Sequence, residues 1–164
     1  MSSKPLPTPA EILAKVQQGA SIDIPYPLTD RQFYEAETIY MAAAPSERDI
    51  TGMASCLSED FQLHQSPDLP YGGIYKGRSG FKDWSDDMAS YFDRLEVVDP
   101  QVFEKSGSDS VVVSSTLKLR VRKNGVELVG PLLQAMKVDR EKGLLTEIRP
   151  FYWDVKGLNE ALQK

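Results

Sequence analysis

Apolar residues along this chain keep two different periods, and the change falls near Leu95. Upstream, they recur at three- and four-residue steps, the mark of helices with one buried side; downstream they alternate, the mark of strands. Thr29-Asp30-Arg31-Gln32 reads as a capping box opening a helix whose apolar face is Phe33, Ala36, Tyr40 and Ala43, with Pro45 ending it. Ser46 is placed to cap a second helix, with Ile50, Met53, Ala54 and Leu57 inward and Glu47 and Asp49 in the first turn. A third helix is predicted from about Ser79 to Arg94, with Phe81, Trp84, Met88 and Tyr91 or Phe92 on its inner side. Between the second and third, Asp60 to Ser66 alternates as a strand, with Phe61 and Leu63 on one face and Gln62 and His64 on the other. A loop rich in proline and glycine follows, then the short strand Ile74-Tyr75-Lys76.

Beyond Leu95 the pattern predicts four strands: Glu96–Lys105, Ser110–Arg122, Val126–Val138 and Leu144–Val155. The turn Lys123-Asn124-Gly125 joins the second and third of these, and its Asn124-Gly125 is the strongest hairpin signal in the chain. The expected fold is α+β: a cone-shaped, curved, mostly antiparallel six-stranded sheet with three helices on its concave face. Residues 1–28 form a proline-rich N-terminal extension in which Thr8-Pro9-Ala10-Glu11 starts a short helix ending at Gly19. Residues 29–155 form the cone domain, and residues 156–164 a short tail with about one helical turn. A cone of this kind leaves an apolar hollow under the helices, where small molecules bind.

Composition narrows the function classes. In 164 residues, 19 Lys and Arg against 24 Asp and Glu give a net charge of −5, so no basic stripe is available to follow a phosphate backbone, and nucleic acid is not an expected partner. One cysteine, Cys56, allows no internal disulfide, and one histidine, His64, allows no His-rich zinc site. The acidic pairs Glu59-Asp60 and Asp86-Asp87 lack the further ligands that calcium or magnesium needs, so neither a metal nor another cofactor is expected. Met1 to Lys15 has no apolar core of signal-peptide type and no run is long enough to span a bilayer, so a soluble, cytoplasmic protein is expected. Val112, Val129 and Leu133 fall on the outer face of long strands, and such a surface rarely stays bare, so a homodimer is expected.

Four local motifs stand in a telling order: Glu59-Asp60 before the first strand, the loop Pro67 to Pro70, Gly73-Ile74-Tyr75-Lys76-Gly77 opening a helix, and the ending Tyr152-Trp153-Asp154. With the order of elements, they resemble the SnoaL-like group of the nuclear transport factor two-like superfamily, over roughly Thr29 to Val155. The resemblance implies the cone fold, with the first strand beside the last. It implies no single reaction, since that group holds cyclases, isomerases, dehydratases, hydrolases and proteins without known activity.

Proton transfer next to a carbonyl needs a base with a pKa near neutrality and a donor for the enolate oxygen. Asp154 is the first candidate, being two residues from Tyr152 at the end of the last strand and matching the carboxylate that SnoaL-like cyclases use as base. The competing reading makes it a cap for the Lys156-Gly157 turn. His64 is the second, as the only imidazole and, in the implied fold, within reach of Asp154. Against it stand a bond to the Pro67–Pro70 loop and the outer orientation it shares with Gln62. Tyr40, Tyr71, Trp84 and Tyr152 are candidate lining residues for a small apolar or aromatic ligand, and Gln134, the polar residue in Leu132-Leu133-Gln134-Ala135-Met136, is a candidate to position it. The leading expectation is a cofactor-free cyclase or isomerase acting on a polyketide-like or terpenoid-like ketone. The alternative is a non-catalytic ligand-binding or assembly domain, and a filled cone would favour it.

Overall fold

The computed structural model describes Glu37, Tyr40, Ala43 and residues 47–104 and 107–164. Its elements run α1 (Ile50–Ala54), β1 (Leu57–Gln65), β2 (Gly73–Lys76), α2 (Gly77–Tyr91), β3 (Phe92–Glu104), β4 (Ser110–Val121), β5 (Glu127–Asp139), β6 (Leu144–Tyr152) and α3 (Val155–Gln163). The strands form one six-stranded sheet in the order β2-β1-β6-β5-β4-β3. All neighbours are antiparallel except β1 and β6, which lie side by side and parallel, as the resemblance implied. The α+β architecture expected from the periodicity is therefore present. The extension helix at residues 8–19, and most of the helix expected over residues 29–43, lie outside the described residues; Glu37 and Tyr40 are helical.

Strand alternation assigns the two faces of the sheet. On β4 the residues Val111, Val113, Leu117, Leu119 and Val121 are buried, and Val112 between them is exposed. Phe61 and Leu63 on β1, Leu132 and Met136 on β5 and Ile148 on β6 share the buried face. Onto it packs α2, whose Phe81, Trp84, Ser85 and Met88 fall at helical spacing and are all buried. Its contact with the preceding helical segment is partly polar: Tyr40 Oη and Ser85 Oγ lie 3.0 Å apart, and Arg48 donates to the Ser85 carbonyl at 2.7 Å.

Several boundaries move from their expected places. Leu57, assigned by its spacing to a helix, begins β1, and α1 is only a turn and a half, capped by Asp49 through a 2.8 Å bond from Thr51 N–H. Helix α2 stops at Tyr91, because Phe92 is already paired with Val121 across β3 and β4. The register slips in β3 between Val98 and Gln101, where Asp99 has φ 54° ahead of Pro100. Such bulges bend a strand and help the sheet curl. Asn124-Gly125 sits at the β4–β5 hairpin tip, with Gly125 at φ 71°. The tail proves to be a full helix: α3 buries Leu158 and Ala161, and Asn124 Nδ2 donates to the Ala161 carbonyl at 2.8 Å. Among the described residues no helix is long and apolar enough to cross a membrane.

Candidate functional site

Between α2 and the buried sheet face lies a cavity of about 30 Å³, room for about one water molecule. Apolar side chains such as Leu63, Phe81, Met88 and Ile148 make most of its wall. Among the described residues, five polar side chains also reach it: Glu37, Gln65, Trp84, Gln134 and Tyr152. They come from the helical segment before α1 and from β1, α2, β5 and β6, so no two are neighbours in sequence.

Glu37 is the chemical centre of this group. Its side chain is enclosed, with the residue only 7% exposed, and burial pushes its carboxyl up from 4.5 to about 7. An ionised carboxylate loses its hydration there, so the neutral acid is favoured. Tyr152 donates its hydroxyl proton to Gln65 Oε1 at 2.9 Å. Burial pushes the Tyr152 phenol up as well, the Glu37 charge adding to the effect and the Gln65 bond opposing it. The Tyr152 proton therefore stays in place at neutral pH. Trp84 is 5% exposed and, among the described residues, its indole N–H has no hydrogen-bond partner. A buried donor left unpaired costs stability, so it stands ready for an acceptor that enters the cavity.

The expected site residues are distributed differently from the sequence reading. Trp84, Gln134 and Tyr152 line the cavity, whereas Tyr40 is taken up in the helix contact with Ser85 and Phe81. Tyr71 is buried against Tyr91 and Phe92, and its hydroxyl lies beside that of Tyr152. Asp154 does not point into the cone. Strand β6 ends at Tyr152 and the chain bends at Trp153, which breaks the alternation that would have kept Asp154 beside Tyr152. Asp154 is exposed and caps α3, accepting from Gly157 N–H at 2.8 Å. His64 lies on the face of β1 away from the helices. Its Nε2 is 3.1 Å from Gln62 Oε1 and 3.9 Å from Glu147 Oε2. The structure thus brings neither residue to the cavity and does not pair them.

Two members of the site were missed, although both leave a trace in the sequence. Glu37 is four residues after Phe33 and three before Tyr40, which puts a carboxylate on the apolar stripe of its helix. Gln65 continues the inward alternation of Phe61 and Leu63. A polar residue at an inward position is the signal in both cases.

Among the described residues, no group of three or more His, Cys, Asp or Glu is arranged to hold a metal ion. No family model and no curated protein sequence matches the chain. Solved structures do. An NTF2-like protein of unknown function from Burkholderia pseudomallei superposes with a TM-score of 0.67 at 17% identity, over 82% of this chain and 94% of the other. A protein from a Jannaschia species, assigned as a SnoaL-like polyketide cyclase, gives 0.60 at 18% identity over 80% and 92%. TerC, crystallised with polyporic acid, gives 0.62 at 19% identity over 81% and 99%. The sheet order, the parallel β1–β6 pair, the helices on one face and these superpositions agree that the chain has the nuclear transport factor two-like fold shared by the SnoaL-like proteins.

Proposed function

We propose that this protein is a small-molecule enzyme of the cyclase or isomerase kind, moving a proton on an apolar, polyketide-like or terpenoid-like ketone without a cofactor. Glu37 is its acid–base group, taking the role that sequence reading gave to Asp154 and His64. One observation carries the reading: a carboxyl group enclosed in an apolar cavity, with its pKa pushed up to about 7. At that value both forms are populated at neutral pH, which suits a group that must first take a proton and then return it. Ionised Glu37 removes a proton from the carbon beside the carbonyl. The unpaired Trp84 N–H donates to the enolate oxygen as charge develops there. Protonated Glu37 then delivers the proton to another carbon of the same system, and Tyr152, Gln65 and Gln134 hold the ligand in register. Fold neighbours assigned as a polyketide cyclase and as an isomerase from Bacillus subtilis support the reaction class, and TerC with polyporic acid supports a ring-bearing ligand.

A cavity of about 30 Å³ holds no such ligand without movement. Met88 in its wall is unbranched and adaptable, so it is the side chain to yield. The same small volume favours the second reading, a non-catalytic assembly domain. Its interface is the outer face of the sheet, where Leu133 and Phe151 sit opposite each other in register, Val112 is close by and all three are exposed. We assign homodimerisation to that face under either reading, in a protein working in the cytoplasm.

Deuterium exchange at the carbon next to the carbonyl of small cyclic ketones, followed by proton NMR in deuterated buffer, tests the enzyme reading. The wild-type protein should accelerate exchange, and Glu37→Gln should lower that acceleration by roughly 10²–10⁴-fold. Exchange that survives in Glu37→Gln removes Glu37 from the mechanism. No exchange with any ketone between pH 6 and 8 leaves the assembly reading.

A further inference from the structure

A second, larger hollow of about 210 Å³ opens where α3 crosses the ends of β4 and β5. Leu117, Leu128, Gly130, Tyr152, Trp153 and Leu158 contribute to its wall. Two of them, Leu117 and Tyr152, also line the Glu37 cavity, so the two spaces adjoin through shared wall residues. Trp153 at the rim is 82% exposed, unusual for the largest apolar side chain in a protein that buries its other tryptophan.

Gly130 explains why the space exists. It lies within β5 opposite Leu117, on the inward-facing register of Leu132 and Gln134, and its backbone lies outside the positive-φ region. A Cβ added there would meet nothing within 4 Å. Glycine inside a strand weakens it and is otherwise found at bulges or where something approaches closely. Here no bulge is present in the β4–β5 pairing. What the glycine provides is room.

We propose that this hollow seats the hydrocarbon body of the ligand whose carbonyl end enters the Glu37 cavity past Leu117 and Tyr152. The proposal rests on the acid–base reading for the role of the carbonyl, but not for the binding itself. The wall fixes the chemical class. Among the described residues its one charged side chain is Asp154, whose carboxylate is engaged in capping α3 and leaves a negative rim, so an anionic ligand is disfavoured and a neutral one fits. The volume fixes the size. A cavity of about 150 Å³ suffices for benzene, and drug-sized ligands fill about 300 Å³ or more. A neutral ketone of one or two fused rings lies between.

The two tryptophans report on the two spaces separately, Trp84 from the cavity and Trp153 from the rim. Full-length protein labelled with 5-fluorotryptophan should give two fluorine resonances, assigned through Trp153→Phe. Titration with 1-tetralone, a neutral bicyclic ketone, should shift the Trp153 resonance saturably with a Kd of about 1 mM or below, and move the Trp84 resonance in parallel. Gly130→Leu fills the hollow and should weaken this binding at least about tenfold. Gly130→Val, a smaller filler with good strand propensity, should give an intermediate loss and covers the case in which the leucine variant does not fold. A Glu37→Gln variant should still bind, and a wild-type protein that binds tetralone without accelerating its proton exchange would sink the enzyme reading and leave the pocket standing. The proposal is overturned if Trp153 does not respond to tetralone, if only Trp84 responds, or if the filled variants bind as the wild type does.

Discussion

Glu37 should make the protein less stable as pH rises, and replacing it with glutamine should remove that dependence. Its carboxyl is pushed up from 4.5 in the unfolded chain to about 7 in the folded protein, by burial. Between those values the folded state binds the proton that the unfolded state has released. Stability therefore falls as pH climbs through this window, and the loss is complete only above the folded pKa. About 2.5 pKa units correspond to about 3 kcal/mol, a substantial share of the stability of a domain this size. Urea unfolding followed by circular dichroism at pH 5 and pH 8.5 measures it. With a denaturant slope of about 1–3 kcal/mol per molar, the Glu37→Gln midpoint should exceed the wild-type midpoint by roughly 1–3 M at pH 8.5, while the two should nearly coincide at pH 5. A midpoint difference that does not change between the two pH values would refute the buried, raised carboxyl and with it the acid–base assignment. The signs also link stability to function, since the group proposed for catalysis is one that the fold tolerates at a cost.

Other outcomes follow from single contacts. Leu133→Glu or Phe151→Glu should convert a homodimer to monomer in sedimentation, and a wild-type protein that is already strictly monomeric at high micromolar concentration would dismiss the outer-face interface. Asp154→Ala should lower stability by about 1 kcal/mol through loss of the α3 cap, about 2–4 °C in Tm, whereas Asp154→Asn keeps the cap and should melt near the wild type. Were Asp154 the base, Asp154→Asn would instead abolish proton exchange at unchanged Tm. Gly80→Ala should destabilise strongly, because the new Cβ would sit 2.8 Å from the Tyr75 carbonyl carbon where α2 packs on β2, and a melting temperature within a degree or two of wild type would show that this contact relaxes.

Periodicity by itself determined the sheet and much of its helical cover. Alternation along Ser110–Val121 and Glu127–Asp139 fixed which side chains share a face, and Asn124-Gly125 fixed how the two strands join. Phe81, Trp84 and Met88 fixed the buried side of α2. Periodicity is a local property, so it survives without knowledge of neighbours. Boundaries were less secure, because a residue such as Leu57 or Phe92 suits a helix or a strand equally and only the pairing partner across the sheet decides. The polar site was hardest to read, for the same reason carried further. His64 was known to share a face with Gln62, but only the side on which the helices dock sends it outward. Asp154 kept company with Tyr152 only while the strand was assumed to continue, and one bend at Trp153 turned it into a helix cap. Glu37 carried no special motif; its altered pKa comes from enclosure by side chains distant in sequence. Sequence pattern thus specified which face each residue occupies on its own element, whereas desolvation, and therefore chemistry, was decided by which faces the tertiary structure brought together.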